Sequence, residues 1–130
     1  MVEFAIILPI LISILFGIIE FGILLYDKAV ITNASREGAR AGILFPHPTR
    51  MSSEEIAEVV EEYCSTYLIT FGADDGPETT TDPPDATTIA SGDYLTVNVS
   101  YQYSFLVLPN FVTDLMGGVN LVANTTMRAE

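Results

Sequence analysis

"MVEFAIILPILISILFGIIEFGILLY", residues 1–26, is almost wholly apolar, yet it holds Glu3 at its start and Glu20 inside it. From Phe4 to Ile19 no residue is charged, and from Phe4 to Tyr26 only Glu20 is. As an α-helix, Phe4–Tyr26 would reach about 34 Å at roughly 1.5 Å per residue, enough to cross a bilayer. A carboxylate within such a segment is costly and marks either a function or a partner that cancels its charge. The apolar run is too long for a secretory signal peptide, and it lacks a basic leader and a small-x-small cleavage site. It reads as a retained anchor, or as a segment from which a basic leader has been cut ahead of Met1.

The helical pattern runs on through "DKAVITNASREGARAGILF", residues 27–45, which contains no proline. Small or apolar residues recur there at three- and four-residue steps: Val30, Ala34, Gly38 and Ala41, with Gly42 beside them. Pro46 and Pro48 close the run, because the residue before a proline is pushed out of the α region. The spacing therefore predicts one helix from about Val2 to Leu44, roughly 65 Å long. That is twice the thickness of a membrane's hydrocarbon core, so half of the helix projects outside. Pro9 is expected to weaken or kink its first turns. Two units follow from this division, a long helix over residues 1–45 and an acidic head over 46–130.

The head begins with a second helix. Ser52 or Ser53 precedes "EEIAEVVEEYCSTYLITF", Ser52 and Glu55 form a capping box, and Gly72 is a plausible stop. Ile56, Val59, Val60, Tyr63, Cys64 and Tyr67 make its apolar stripe. Cys64 on that stripe reads as buried and inert. Residues 73–92, rich in proline, glycine, threonine and acids, read as a loop. "DYLTVNVSYQY", residues 93–103, alternates, with Leu95, Val97, Val99, Tyr101 and Tyr103 on one side, and reads as a half-buried strand. A hydrophobic connection limited by Pro109 leads to a second strand, whose Leu121, Ala123, Thr125 and Met127 share a face. Consecutive strands most often pair antiparallel. The expected class is α+β, with Ile56, Val59, Val60, Tyr63 and Tyr67 packed on the Leu95, Val97, Val99 and Tyr101 face.

Charge and chemistry narrow the function. The whole chain carries −12 and residues 1–45 carry −1, which leaves −11 on the head, where only Arg50 and Arg128 are basic. Such a surface repels phosphate backbones and argues against nucleic acid as a partner. Cys64 is the single cysteine and cannot form an internal disulfide, and His47, between two prolines, is most simply a turn residue. Neither a P-loop, a G-x-S-x-G nor an H-E-x-x-H is present, so no enzyme and no cofactor are expected. Asp74, Asp75 and Glu78, with Asp82 and Asp85, are weak candidates for Ca²⁺, but the D-x-D-x-D-G spacing is missing and a solvated acidic loop is the simpler reading. Asn33, Asn98 and Asn124 each open an N-x-[ST] triplet, a short pattern that makes them candidate glycosylation sites only.

The long helix holds most of the information. Gly17 and Gly22 flank Glu20, and Gly38 and Gly42 form a G-x-x-x-G, a spacing that lets helix backbones approach closely. Glycines that merely pack against the chain's own head would account for Gly38 and Gly42, but would leave Glu20 without a partner. Val2-Glu3-Phe4-Ala5, Leu8-Pro9, Gly17-Ile18-Ile19-Glu20-Phe21-Gly22 and Arg36-Glu37-Gly38-Ala39-Arg40 together resemble the N-terminal segment of the TadE-like proteins, pilin-like subunits of bacterial tight-adherence systems.

The resemblance implies that a leader peptidase trims a basic leader, that the helix waits in the cytoplasmic membrane, and that assembly machinery draws it into an extracellular filament on the cell surface. It departs from the family pattern in showing no leader or cleavage glycine. It implies subunit contacts through Glu3, Phe4, Pro9, Gly17, Glu20, Gly22, Gly38 and Gly42, with Glu3 facing a neighbour's terminal amine. Glu20 would look to a staggered neighbour's Lys28, Arg36 or terminal amine. The resulting reading is a homo-oligomeric, helical adhesion filament. Its alternatives are a minor pseudopilin of the same kind of system and a membrane-anchored extracytoplasmic binding module.

Overall fold

The computed structural model describes residues 2–44, 49–70, 76–108, 114–115 and 117–130. Helix α1 runs unbroken over Val2–Ile43, passing through Pro9. The hydroxyl of Ser13 donates to the Pro9 carbonyl at 2.8 Å. Helix α2 covers Ser53–Tyr67, and its start is the capping box expected from sequence. Ser52 Oγ accepts from the Glu55 N–H at 3.2 Å, and Glu55 Oε2 accepts from the Ser52 N–H at 2.7 Å. These bonds satisfy two of the donors that a helix N-terminus leaves open.

Three antiparallel strands follow: β1 over Glu78–Asp82, β2 over Tyr94–Tyr103 and β3 over Val119–Arg128, in the order β1-β2-β3. Glu78 stands opposite Ser100, and Tyr94 and Tyr103 stand opposite Arg128 and Val119. Strict alternation on β2 buries Leu95, Val97, Val99, Tyr101 and Tyr103, and the adjoining face of β3 adds Leu121 and Ala123. The outer half of α1 lies on that face, and α2 packs chiefly along α1, reaching the sheet at β1. One core joins Ile31, Ala34, Ala39, Ile56, Val60, Cys64, Leu95 and Val97. The long helix is thus an integral part of the head, and the fold is α+β as the pattern indicates.

Several expectations need correcting. Residues 73–92 were expected to be loop throughout, but β1 lies within them, with a 3-10 turn over Ala86–Thr88. β1 reads Glu-Thr-Thr-Thr-Asp, with exposed charges at both ends, as suits the edge of a sheet. Helix α2 stops at Tyr67, well short of Gly72, because the Ile69 N–H leaves the helical ladder and donates to Asp27 Oδ1 at 3.0 Å. Tyr67 is 48% exposed and its ring lies against that of Tyr63, with centroids 4.7 Å apart and planes tilted by 45°. Of the expected stripe, Ile56, Val60 and Cys64 are buried, and α2 meets α1 more than it meets the sheet. Pro46, His47, Pro48, Gly72, Asp74, Asp75 and Pro109 lie outside the described residues.

Arg50 ties the ends of the fold together. It is 7% exposed, and its guanidinium donates to the carbonyls of Ile43 and Leu44 at 3.1 and 3.3 Å and to the main-chain oxygen of Glu130 at 2.6 Å. It therefore caps carbonyls at the end of α1, where Ile43 also accepts from the Glu130 N–H at 3.4 Å.

Candidate functional site

Two surfaces of α1 contrast sharply. From Val2 to Tyr26 its side chains are largely exposed all round, with Phe4 at 79% and Phe21 at 61%. From Asp27 onward one side is buried in the head: Val30, Ile31, Ala34, Ser35, Gly38, Ala39 and Gly42. The exposed apolar half has the length and composition of a membrane-crossing segment.

Glu20 sits where the two halves meet and is only 2% exposed. Its Oε1 accepts from the Tyr103 hydroxyl at 2.5 Å and the Leu106 N–H at 2.9 Å. Its Oε2 accepts from the N–H groups of Val107 at 2.7 Å and Leu108 at 3.3 Å. Three successive backbone N–H groups aimed at one anion form a nest of fixed partial positive charge. A group expected to seek a cation on a neighbouring subunit is therefore satisfied inside its own chain. Lys28, one of the cations proposed for it, donates to the Val122 carbonyl on β3. Burial, followed by the Glu20 carboxylate, raises the Tyr103 phenol above its ordinary pKa. The Tyr103 ring stands edge-on to Phe105 at 5.9 Å. The contact fastens the end of β2, and the chain that follows it, to the upper part of the exposed helix.

Two turns further along α1, Asp27 is fully buried. Apart from the Ile69 N–H on Oδ1, its Oδ2 has no hydrogen-bond partner among the described residues. Cys64 lies close enough for burial, and then the Asp27 charge, to push its thiol up to about 11.

The residues expected to make subunit contacts divide into two groups. Glu3, Phe4, Pro9 and Gly22 are exposed on the apolar half, and a Cβ at Gly17 or Gly22 would meet nothing within 4 Å. Gly38 and Gly42 instead face their own head. A Cβ at Gly38 would lie 2.7 Å from Val60 Cγ2, and one at Gly42 would lie 2.7 Å from Ile56 Cδ1 and press on Leu95. Their G-x-x-x-G admits α2 and β2 rather than a second chain. Asn33 and Asn124 are exposed, while Asn98 is half-buried on the central strand, across from Asn124. Glu78 is exposed at the start of β1, and among the described residues no three acidic, His or Cys side chains gather as a metal site.

With this helix and its carboxylate in place, the comparison with known families is specific. Residues 1–40 match the family model described as TadE-like protein. The matched stretch is 40 of the 130 residues, and it takes in Glu3, Glu20 and Asp27. No curated protein and no solved structure matches the chain. The matched stretch includes the whole exposed half of α1.

Sequence reasoning did not find Tyr103, Arg50 or Asp27 as partners. One signal was available for Asp27. It lies seven residues after Glu20 and seven before Ala34, so all three share the helix face that turned out to be buried. For Tyr103 the alternation predicted burial but could not say that a hydroxyl would meet a carboxylate 83 residues earlier.

Proposed function

We propose that this chain is a pilin-like structural subunit rather than an enzyme. In this reading it is held in the membrane by the exposed half of α1 and polymerises through the same surface into a helical extracellular filament. The observation that carries the reading is the contrast along α1. About two dozen residues of apolar helix stand clear of a head that has already satisfied its own core, its glycine contacts and Glu20. Such a helix needs a second environment, first lipid and then identical helices. The match of residues 1–40 to TadE-like protein supports association with a tight-adherence pilus. A head-to-tail contact between identical subunits does not close on itself and grows open helical polymers. The acidic heads would coat such a filament.

Glu3 is the residue on which assembly turns in this reading. Exposed on the apolar helix, it would meet a neighbour's terminal amine once a leader has been removed. Breaking one side of a buried charge pair costs about 3–5 kcal/mol, and each 1.4 kcal/mol or so is a factor of ten in an equilibrium. Glu3→Gln is expected to reach normal levels in the membrane fraction while the yield of sheared filaments collapses. Normal filaments from Glu3→Gln would remove the charge-pair mechanism. The second reading, a minor pseudopilin that primes or regulates a filament, is favoured by the same TadE-like match. It differs in expecting the chain to be a trace component of the sheared material.

A further inference from the structure

We propose that Phe105–Leu108, just after β2, form a membrane-docking surface that lies in the outer interface of the bilayer that α1 crosses. The inference rests on α1 spanning a membrane and does not require polymerisation.

The depth follows from Glu20. With Glu3 at one boundary of the hydrocarbon, Glu20 lies 17 residues further on, about 26 Å along the helix. A typical hydrocarbon core is about 30 Å thick, so Glu20 falls just inside the far boundary. Asp27 and Lys28, roughly 10 Å beyond it, fall outside. The N–H groups of Leu106, Val107 and Leu108 are hydrogen-bonded to Glu20, which fixes that part of the chain at the same depth. Irregular backbone at that depth needs its polar groups satisfied within the protein, and the Glu20 carboxylate does this for three consecutive N–H groups.

The side chains fit the location. Phe105, Leu106, Val107 and Leu108 are each half-buried, so part of this apolar segment remains accessible. Phe21 and Leu25, 61% and 51% exposed, flank Glu20 on α1 and extend the apolar surface without a break into the spanning helix. Phe105 and Leu108 also line an apolar cavity with Gly17, Phe21, Leu24 and Val119 at the foot of the head. The head carries −11, so it has no general attraction to an anionic bilayer, and the contact is apolar. Glu20 thereby acquires a structural role: it holds the head down on the membrane in a fixed orientation.

The chain contains no tryptophan, so a single introduced one reports without background. Val107→Trp places it on the docking surface, with the N–H that bonds to Glu20 retained. Tyr94→Trp places it on a 64% exposed residue at the opposite end of β2, about 30 Å from Tyr103. The full-length variants would be reconstituted in phosphatidylcholine vesicles, with and without acyl chains brominated near the headgroup. Val107→Trp should emit to the blue of Tyr94→Trp, be strongly quenched by the brominated lipid, and be several-fold less quenched by acrylamide. Equal behaviour of the two variants would overturn the proposal. So would a Val107→Trp that acrylamide cannot reach but brominated lipid does not quench, since protein rather than lipid would then be covering the surface.

Discussion

Four donors converge on the carboxylate of Glu20, and three of them are main-chain N–H groups that cannot accept, so each of its oxygens must supply lone pairs. Glu20→Gln replaces one oxygen by an NH₂ that points at N–H groups, and it removes the charge that strengthens all four bonds. A loss of roughly 2–3 kcal/mol is expected for Gln, and more for Glu20→Ala, which leaves every donor without its acceptor. Denaturation of the full chain in detergent, followed by circular dichroism, measures this. Parental stability in both variants would show the contact to be incidental. Cys64 gives a pH test. Its thiol is pushed from 9.0 up to about 11 by burial and the Asp27 charge, so between those values the unfolded chain releases a proton that the folded chain keeps. The thiol's contribution is fully present below about pH 9 and is lost as pH rises towards 11. Cys64→Ala should flatten the alkaline decline in stability. In the folded parent the thiol should resist iodoacetamide at pH 8, and rapid alkylation without unfolding would contradict its burial.

At the scale of elements, the glycines of α1 are not equivalent, although their spacing makes them look alike. Gly42→Ala would drive a Cβ against Ile56 and Leu95, and a cost of about 1–3 kcal/mol is expected from overpacking. Gly22→Ala meets open space and should leave the stability of the isolated chain within about 0.5 kcal/mol. Thermal unfolding of the two variants side by side decides it, and equal losses would mean that the close approach of α2 to α1 is misplaced. Here the limits of sequence become visible. The long helix, the Ser52–Glu55 capping box and the alternating strands were legible because each depends on local spacing that the chain repeats or closes within a few residues. β1 was not, because its Glu-Thr-Thr-Thr-Asp has no hydrophobic face and becomes a strand only through pairing with β2. The early end of α2 was hidden for a related reason, since it depends on Asp27, 42 residues away. The Glu20 contact was half legible: the carboxylate stood out as costly, but its donors are mostly main-chain groups that any sequence would carry.

For the whole molecule, the outer half of α1 is committed to the head, while the inner half, Glu20 and its neighbours apart, stands largely exposed. The head cannot be cut from the helix without losing Ile31, Ala34 and Ala39 from the core. A fragment of residues 46–130 alone should therefore fail to fold cooperatively, whereas one beginning near Gly22 should fold. A stable 46–130 fragment, seen as a sigmoidal thermal transition, would show that the helix is dispensable. The apolar half is the part left to explain, and polymerisation is the explanation we propose. The direct measurement is electron microscopy of material sheared from cells that express this chain, with mass spectrometry of the purified filaments. Filaments whose bulk protein is this chain, absent when it is deleted, are the expected result. A chain that stays wholly in the membrane fraction and is missing from any filament would contradict the reading of α1 as the filament's core.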